Sequence, residues 1–264
     1  MLKPLARRAA RLVESGLERI GDRDDSEPVL EPYLGYATPE GVVLRGRVLS
    51  HLRRAIAGQP PVLFPARIPA PDADYMILSD IDDTMIQTGA HSLARNLWTT
   101  FTGSALTRQV HDDALALMTT LVDGGRNPVF YVSSSPWNLH DFLDRLFARE
   151  GVPKGPMFLR DLGLTDEGVG ASHLTHKGAA IDTLLAVNPD LPAYLMGDSG
   201  QQDAIVYRDV IARHPDRIRG VALREPAPGV GADDMAAFAA IEAAGVPCFH
   251  APSFDGALRY WGVE

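Results

Sequence analysis

The run Asp80-Ile81-Asp82-Asp83-Thr84 restricts the possible folds of this chain most strongly, because only Ser79 separates it from the apolar segment 75–78. A short apolar segment of this kind predicts a buried strand, so three carboxylates arrive together near its end. Ionised carboxylates that lie close together repel one another, and their removal from water adds a further cost. The run therefore predicts a site where a divalent cation neutralises this charge, and such cations are typical of phosphate chemistry.

The composition indicates an acidic protein with one good-sized core. The chain has 264 residues, a hydrophobic content of 45% and a net charge of −9, which leaves room for a small appendage. An acidic average disfavours a large nucleic-acid-binding face, so we expect no nucleic-acid partner. The single cysteine, Cys248, excludes a disulfide framework, and no apolar stretch reaches the ~18–20 residues that span a bilayer. We expect a cytoplasmic protein without a signal peptide.

From residue 72 onward, short apolar segments alternate with helical patterns. Strands that alternate with helices predict βαβ units and therefore an α/β fold with a doubly wound, mostly parallel sheet. The apolar segments are 75–78, 128–132, 157–159, 193–196 and 218–223, and the helical patterns are 112–122, 138–148, 177–185 and 203–212.

Polar residues follow three of these predicted strands at the point where each strand ends. They are Asp80, Ser133-Ser134-Ser135 and Gly197-Asp198-Ser199. Ligands of doubly wound sheets bind beyond the carboxyl ends of the strands. We therefore expect these residues to converge on one site.

The first 70 residues are predicted to form an extension to this domain. Apolar residues recur at helical spacing over residues 2–20, and basic residues lie mainly on the other side. We favour a helix that packs on the domain over one that binds an anionic membrane surface, because its apolar side has no Trp or Phe. Residues 21–28 read as a solvated linker, and residues 42–49 predict a strand with a partner around 62–68. The predicted boundaries are 1–70 for the extension and 71–264 for the main domain.

Two other motifs match parts of this sequence, and both fail on spacing. An EF-hand loop that began at Asp80 would need Gly at its sixth position and Glu at its twelfth, and neither is present. A serine nucleophile elbow at Ser199 would need glycine at position 201, which is Gln201. We interpret Asp198 and Asp203 as metal ligands or as carboxylates that support a metal site.

The serine segment and one lysine are candidates for binding an anion. Hydroxyls and unpaired N–H groups at the start of a helix bind anions, so Ser133, nearest the strand, is the predicted phosphoryl contact. Ser135 is interpreted as a helix N-cap. Lys177 is the expected charge stabiliser. We interpret His173 and His176 as loop residues and not as a metal pair, because no further His or Cys cluster lies nearby.

Four pieces of the sequence resemble, in order, the motifs of the haloacid dehalogenase (HAD) superfamily of aspartyl-nucleophile phosphatases. Over about residues 75–227 the chain is similar to the catalytic domain of the fungal actin-patch phosphatidate phosphatases. The resemblance implies a HAD-like, Rossmann-type fold, and the length of the stretch 85–126 leaves room for little or no cap domain. The matching strings are Ser79-Asp80-Ile81-Asp82-Asp83-Thr84, Tyr131-Val132-Ser133-Ser134-Ser135-Pro136-Trp137, His176-Lys177 and Gly197-Asp198-Ser199-Gly200-Gln201-Gln202-Asp203.

The resemblance also implies a mechanism. Asp80 would attack phosphorus and form an aspartyl-phosphate, and Asp82 would act as the general acid and base. The phosphoryl oxygens would be bound by Ser133, Ser134 and Lys177. Mg²⁺ is the implied cofactor, and its implied ligands are Asp80, Asp82 through its backbone carbonyl, Asp198 and, in the first or second shell, Asp203.

The substrate implied by the resemblance is phosphatidate, whose hydrolysis would bring the protein into peripheral contact with a membrane. A phosphatase for a soluble or protein-borne phosphoester is the alternative within the same fold. A phosphate-binding module without catalysis is the alternative from a different class, and the complete set of Asp80, Asp82, Lys177 and Asp198 argues against it.

Overall fold

The computed structural model describes residues 29–49, 63, 65–87, 110–160, 173–227 and 229–263. The chain divides into two compact units, and residues 36–42 and everything beyond residue 66 belong to the larger one. The described strands form a three-stranded sheet and a six-stranded sheet. The helix predicted over residues 2–20 and the linker predicted over residues 21–28 lie outside the described residues.

The three-stranded sheet consists of β1 (Val29–Thr38), β2 (Gly41–Leu49) and β3 (Ala66–Arg67), in the order β2-β1-β3. The strand predicted over residues 42–49 is β2. Its neighbour is β1, which the sequence analysis missed, and the segment expected as its partner pairs with β1 instead. The reason is proximity along the chain, because only two residues separate β1 from β2. Thr38 supports this turn by accepting a hydrogen bond from the Gly41 N–H group at 3.1 Å.

The six-stranded sheet confirms the predicted doubly wound α/β class, and all of its neighbouring strands are parallel. The strand order is β6-β5-β4-β7-β8-β9, so the direction of winding reverses between β4 and β7. Residues 76–78 of β4 are all buried, as expected for a central strand covered on both faces. The strands are β4 (Met76–Ser79), β5 (Val129–Pro136), β6 (Met157–Arg160), β7 (Ala193–Asp198), β8 (Ile218–Arg224) and β9 (Cys248–Ala251).

Helices pack against this sheet in two groups. Residues of α1, α2 and α6 share one hydrophobic cluster with strands of the sheet, whereas α4 contacts both α3 and α5. The helices are α1 (Asp112–Val122), α2 (His140–Glu150), α3 (His173–Val187), α4 (Asp203–Arg213), α5 (Ala232–Ala243) and α6 (Ala257–Trp261). No described helix is long and apolar enough to cross a bilayer.

The four predicted helices are present, with shifted starts for two of them. A 3-10 turn, Trp137–Leu139, precedes α2, so this helix begins at His140. Helix α3 begins at His173, and the interpretation of His173 and His176 as loop residues is therefore wrong. Helices α5 and α6 and strand β9 were not predicted. For α5 the reason is that its alanine-rich sequence has little periodic contrast between apolar and polar positions. Residues 88–109, where any cap would arise, lie outside the described residues.

Gly155 allows β6 to lie close to β5. A Cβ atom at this position would lie 2.2 Å from the carbonyl oxygen of Val129, which is far inside contact distance. The obstacle is backbone and not a side chain that can rotate away. Pro156 then accepts a hydrogen bond from the Tyr131 N–H group at 2.9 Å, which begins the pairing of the two strands.

We expect Gly155→Ala to destabilise the domain by about 2 kcal/mol or more, because the added methyl group must push the strands apart. Urea unfolding followed by circular dichroism measures this change. Gly41→Ala is the matched control, since a Cβ atom at Gly41 would meet nothing within 4 Å. An equal loss of stability in the two variants would contradict the explanation.

Candidate active site

Two acidic residues meet where the winding of the sheet reverses. Asp80 follows β4 and Asp198 ends β7, and the two strands are neighbours. The Asp80 N–H group donates a hydrogen bond to the carbonyl oxygen of Met196 at 2.9 Å, which fixes the end of one strand against the other. Both aspartates are buried. The crevice at this point is the expected ligand position in a doubly wound sheet.

Lys177, from α3, is held between two carboxylates. Its Nζ atom lies 2.7 Å from Oδ1 of Asp80 and 2.5 Å from Oδ1 of Asp203, and the lysine side chain is only 4% exposed. Burial disfavours the charged lysine, but the carboxylates of Asp203 and Asp80 outweigh this effect and hold the pKa of Lys177 above its usual range. The lysine is therefore a fixed cation at the end of the sheet.

The Asp80 carboxylate is held on both sides. Oδ1 faces Lys177, and Oδ2 accepts a hydrogen bond from the hydroxyl of Thr84 at 3.2 Å. Burial raises the pKa of Asp80, and Lys177 opposes this rise. Thr84 can reach back because the loop turns tightly after β4, with the N–H groups of Met85 and Ile86 both donating to the carbonyl oxygen of Ile81.

Asp203, at the start of α4, uses both carboxylate oxygens within the protein. Oδ1 contacts Lys177, and Oδ2 accepts a hydrogen bond from the N–H group of Asp198 at 3.1 Å. Gly197 makes this approach possible, because a Cβ atom there would lie 2.8 Å from Oδ2 of Asp203 and 2.8 Å from the ring of Tyr207. Asp203 therefore orients the lysine and the backbone that carries Asp198.

Asp82 has different neighbours from Asp80. Its Oδ2 atom accepts hydrogen bonds from the hydroxyls of Ser133 and Ser135, each at 2.8 Å. Its Oδ1 atom is buried and has no hydrogen-bond partner among the described residues. Burial raises the pKa of Asp82, and the hydroxyls of Ser135 and Ser133 oppose this rise.

The expected role of Ser135 as a helix N-cap is wrong. Ser135 still belongs to β5, and neither the 3-10 turn nor α2 has a side-chain hydrogen bond at its N-cap. The bulged pairing of β5 with β6 extends the strand to Pro136, so the hydroxyl of Ser135 points at Asp82 instead of at a helix. Residues two apart on a strand share a face, and this signal, present in the sequence, could have placed Ser135 beside Ser133.

Gln201 connects the loops that follow β4 and β7, and the sequence analysis gave it no role. Its side-chain N–H group donates to the backbone carbonyl oxygen of Asp82 at 3.1 Å and to the Asp83 carboxylate at 3.2 Å. Asp83 and Gln202 both have left-handed backbone conformations, with φ of 57° and 68°. Non-glycine residues in this region store strain, and such strain is concentrated at functional sites.

The charge balance of this site fits a divalent cation. The carboxylates of Asp80, Asp82, Asp198 and Asp203 are all buried, and among the described residues Lys177 is the cation that contacts two of them. Burial, together with the charges of Asp203 and Asp83, raises the pKa of Asp198 to about 7. Oxygen atoms are the donors that Mg²⁺ prefers. Within the described ranges no three His, Cys, Asp or Glu side chains form a metal cage, so an ion here would also need backbone carbonyl or water ligands.

The structure brings most of the predicted site residues together. The contacts above link Asp80 to Lys177, Lys177 to Asp203, Asp203 to Asp198, and Ser133 to Asp82. Ser134 lies between the two serines that contact Asp82 and is half-buried. Its assignment to substrate binding stays a prediction. Thr84, Ser135 and Gln201 are the neighbours whose contacts the sequence analysis did not foresee.

We expect Lys177→Met to destabilise the metal-free protein by about 3–5 kcal/mol, because it leaves two buried carboxylates without their cation. Asp80→Asn should lower the free energy of unfolding much less, since Lys177 keeps its contact with Asp203. Urea unfolding at neutral pH compares the two variants, with exposed Lys154→Met as the control for losing a lysine. Equal stability of Lys177→Met and Lys154→Met would contradict this account.

Two known proteins are similar in sequence to part of this chain. Phosphatidate phosphatase APP1 of Saccharomyces cerevisiae is 29% identical over 162 residues, which cover 61% of this chain and 27% of that protein. An uncharacterized protein of Schizosaccharomyces pombe is 29% identical over 153 residues, 56% of this chain and 25% of that protein. The matched region thus spans about a quarter of these relatives.

A sequence model of one family, described as phosphatidate phosphatase APP1, catalytic domain, matches residues 75–225, which include every residue of the site described above. The match confirms the resemblance seen in the sequence. The chain belongs to the HAD-like family of the catalytic domain of phosphatidate phosphatase APP1.

Proposed function

We propose that the protein is a Mg²⁺-dependent phosphomonoester hydrolase that acts through an aspartyl-phosphate on Asp80, with phosphatidate as its substrate. The observation that carries this proposal is the buried Lys177 beside Asp80, at the ends of two neighbouring parallel strands. A fixed cation next to a potential nucleophile is suited to binding a phosphoryl group and stabilising its charge. Membership of the family supports the choice of substrate.

In the first step, the Asp80 carboxylate would attack phosphorus. A new bond forms between a carboxylate oxygen and phosphorus, while the bond from phosphorus to the leaving oxygen breaks. The leaving oxygen keeps the electron pair and takes a proton from the Asp82 carboxyl. Lys177 is already charged and buried, so it can neutralise the phosphoryl oxygens without having to reorganise.

In the second step, a water molecule would hydrolyse the aspartyl-phosphate. Asp82, now a carboxylate, takes a proton from the water as the water oxygen bonds to phosphorus, and the bond to Asp80 breaks. Asp82 therefore ends protonated, as it began, with a proton taken from the water. The carboxylate of Asp80 is restored, and inorganic phosphate leaves.

A bound Mg²⁺ would supply positive charge for the phosphoryl oxygens and the crowded carboxylates. The residues suited to hold it are Asp80, Asp198 and the backbone carbonyl of Asp82. Asp203 holds Lys177 with one oxygen and the N–H group of Asp198 with the other, so its proposed role is to support the residues around the metal. Ser133 and Ser134 are proposed to bind phosphoryl oxygens together with Lys177.

The proposal that the protein acts at a membrane surface rests on family membership. Phosphatidate is a membrane lipid, so the enzyme would work at a membrane surface as a peripheral protein. Residues 1–70 would be the extension and residues 71–264 the catalytic domain, in the cytoplasm. Because the relatives are about four times longer than the matched region, their remaining segments offer no guide to this chain.

We expect Asp80→Asn to lower phosphate release at least about 1,000-fold, because an amide oxygen is a poor nucleophile. Asp82→Asn should cost about 100- to 10,000-fold, the range for losing a general acid–base group. Release of inorganic phosphate under saturating Mg²⁺ measures both effects. Asp190→Asn is the control, since this exposed aspartate precedes β7 and so lies at the opposite end of the strand from Asp198. Full activity in Asp80→Asn would rule out the aspartyl-phosphate.

The substrate and the cofactor are tested in one assay. Phosphate release from phosphatidate in detergent micelles is compared with release from soluble phosphoesters, with Mg²⁺ and with excess chelator. We expect activity only with Mg²⁺ and a higher kcat/KM for phosphatidate. A preference for soluble esters would replace the lipid by the alternative substrate class. If no substrate releases phosphate, the enzyme hypothesis is wrong and the alternative of a non-catalytic phosphate-binding module is favoured.

A further inference from the structure

We propose that Ser135 is a positioning residue for the acid–base step: its hydroxyl holds the Asp82 carboxylate so that Oδ1 faces the leaving group. This inference rests on the proposed function, because it takes Asp82 as the acid–base group. It adds a residue that the mechanism above does not use.

The two oxygens of Asp82 have unequal surroundings. Oδ2 accepts two hydroxyl hydrogen bonds at 2.8 Å, from Ser133 and Ser135, while Oδ1 is buried without a hydrogen-bond partner among the described residues. A buried polar atom without a protein partner is costly, and a catalytic role is one recognised explanation for it. An oxygen that exchanges a proton with substrate and water has such a role. The hydroxyls on Oδ2 determine where that oxygen points.

Ser135 can keep this role when substrate binds, whereas Ser133 cannot. A serine hydroxyl has one proton to donate, so Ser133 cannot donate to Asp82 and to a phosphoryl oxygen at the same time. If Ser133 turns to the phosphoryl group, as proposed above, Ser135 is the hydroxyl that remains on Oδ2. The Ser135 N–H group also donates to the Ser133 hydroxyl oxygen at 2.9 Å, so the two serines are held in one arrangement.

The role of Ser135 is separable from that of the loop backbone. The backbone carbonyl of Asp82 is fixed by the Gln201 side chain, and not by Ser135. Loss of the Ser135 hydroxyl should therefore leave the backbone in place and release only the carboxylate side chain to rotate. The expected defect is in proton donation to the leaving group, and not in phosphoryl binding.

Leaving-group dependence tests this inference in the whole 264-residue chain. The departing group of 4-nitrophenyl phosphate is stable as an anion and needs little protonation, whereas an alkyl phosphate depends on a general acid. We compare kcat/KM for both esters with Mg²⁺, because kcat/KM reports the steps up to the formation of the aspartyl-phosphate. Ser135→Ala should lower kcat/KM for the alkyl ester about 10-fold or more and should lower kcat/KM for the aryl ester much less. Ser135→Thr, which keeps the hydroxyl, should recover most of the loss.

Ser199→Ala is the matched control. Ser199 is a buried serine beside the same site, and its hydroxyl donates to the backbone carbonyl of Arg224 at 3.1 Å instead of to Asp82. Ser199→Ala should change kcat/KM for both esters by the same factor. An equal effect of Ser135→Ala on both esters would show that Ser135 has only a structural role and would overturn the inference.

A second measurement does not depend on activity. Urea midpoints of metal-free Ser135→Ala, Asp82→Asn and the double variant should be non-additive, because the two side chains interact directly. Additive changes in the midpoint would show that the two side chains do not interact, and would overturn the inference even if the wild-type enzyme is active. Failure of the wild type to hydrolyse either ester would overturn the proposed function, and with it this role, while the midpoints would still report whether the contact exists.

Discussion

The site depends on one buried cation. Lys177 lies between the carboxylates of Asp80 and Asp203, and without it two buried negative charges would face each other across the end of the sheet. Asp203 in turn accepts a hydrogen bond from the N–H group of Asp198. The lysine, the loops that follow β4 and β7, and the start of α4 are therefore linked. A charge network of this kind is expensive to bury, which supports its proposed role in binding a phosphoryl group.

The topology of the sheet decides where this network forms. Strands β4 and β7 are far apart in sequence but adjacent in space, and the winding reverses between them. The loops that follow these strands are tied together by Gln201, which contacts the backbone of Asp82 and the side chain of Asp83. Gly197 leaves the space that Asp203 needs. The positions of the acidic side chains therefore follow from strand order and from a few close backbone approaches.

Asp80 and Asp82 are chemically identical side chains whose surroundings suit them to different tasks. Asp80 faces a lysine and a threonine hydroxyl, which supports its proposed role as the nucleophile. Asp82 has two serine hydroxyls on one oxygen and, among the described residues, no partner on the other, which supports its proposed role in proton transfer. Division of labour between neighbouring carboxylates by their environment is a general way to assign acid–base roles.

The sequence by itself determined the α/β class and the residues that meet at the strand ends, because apolar runs, helical periods and strand-end polar residues are local patterns. It did not determine the contacts of Ser135 or Gln201, nor the placement of β1, since these depend on how distant segments pair. Ser135 shows the reason most clearly. Its neighbours in sequence favour a helix cap, but a bulged strand turns its hydroxyl toward Asp82, 53 residues away, and only the tertiary structure decides that.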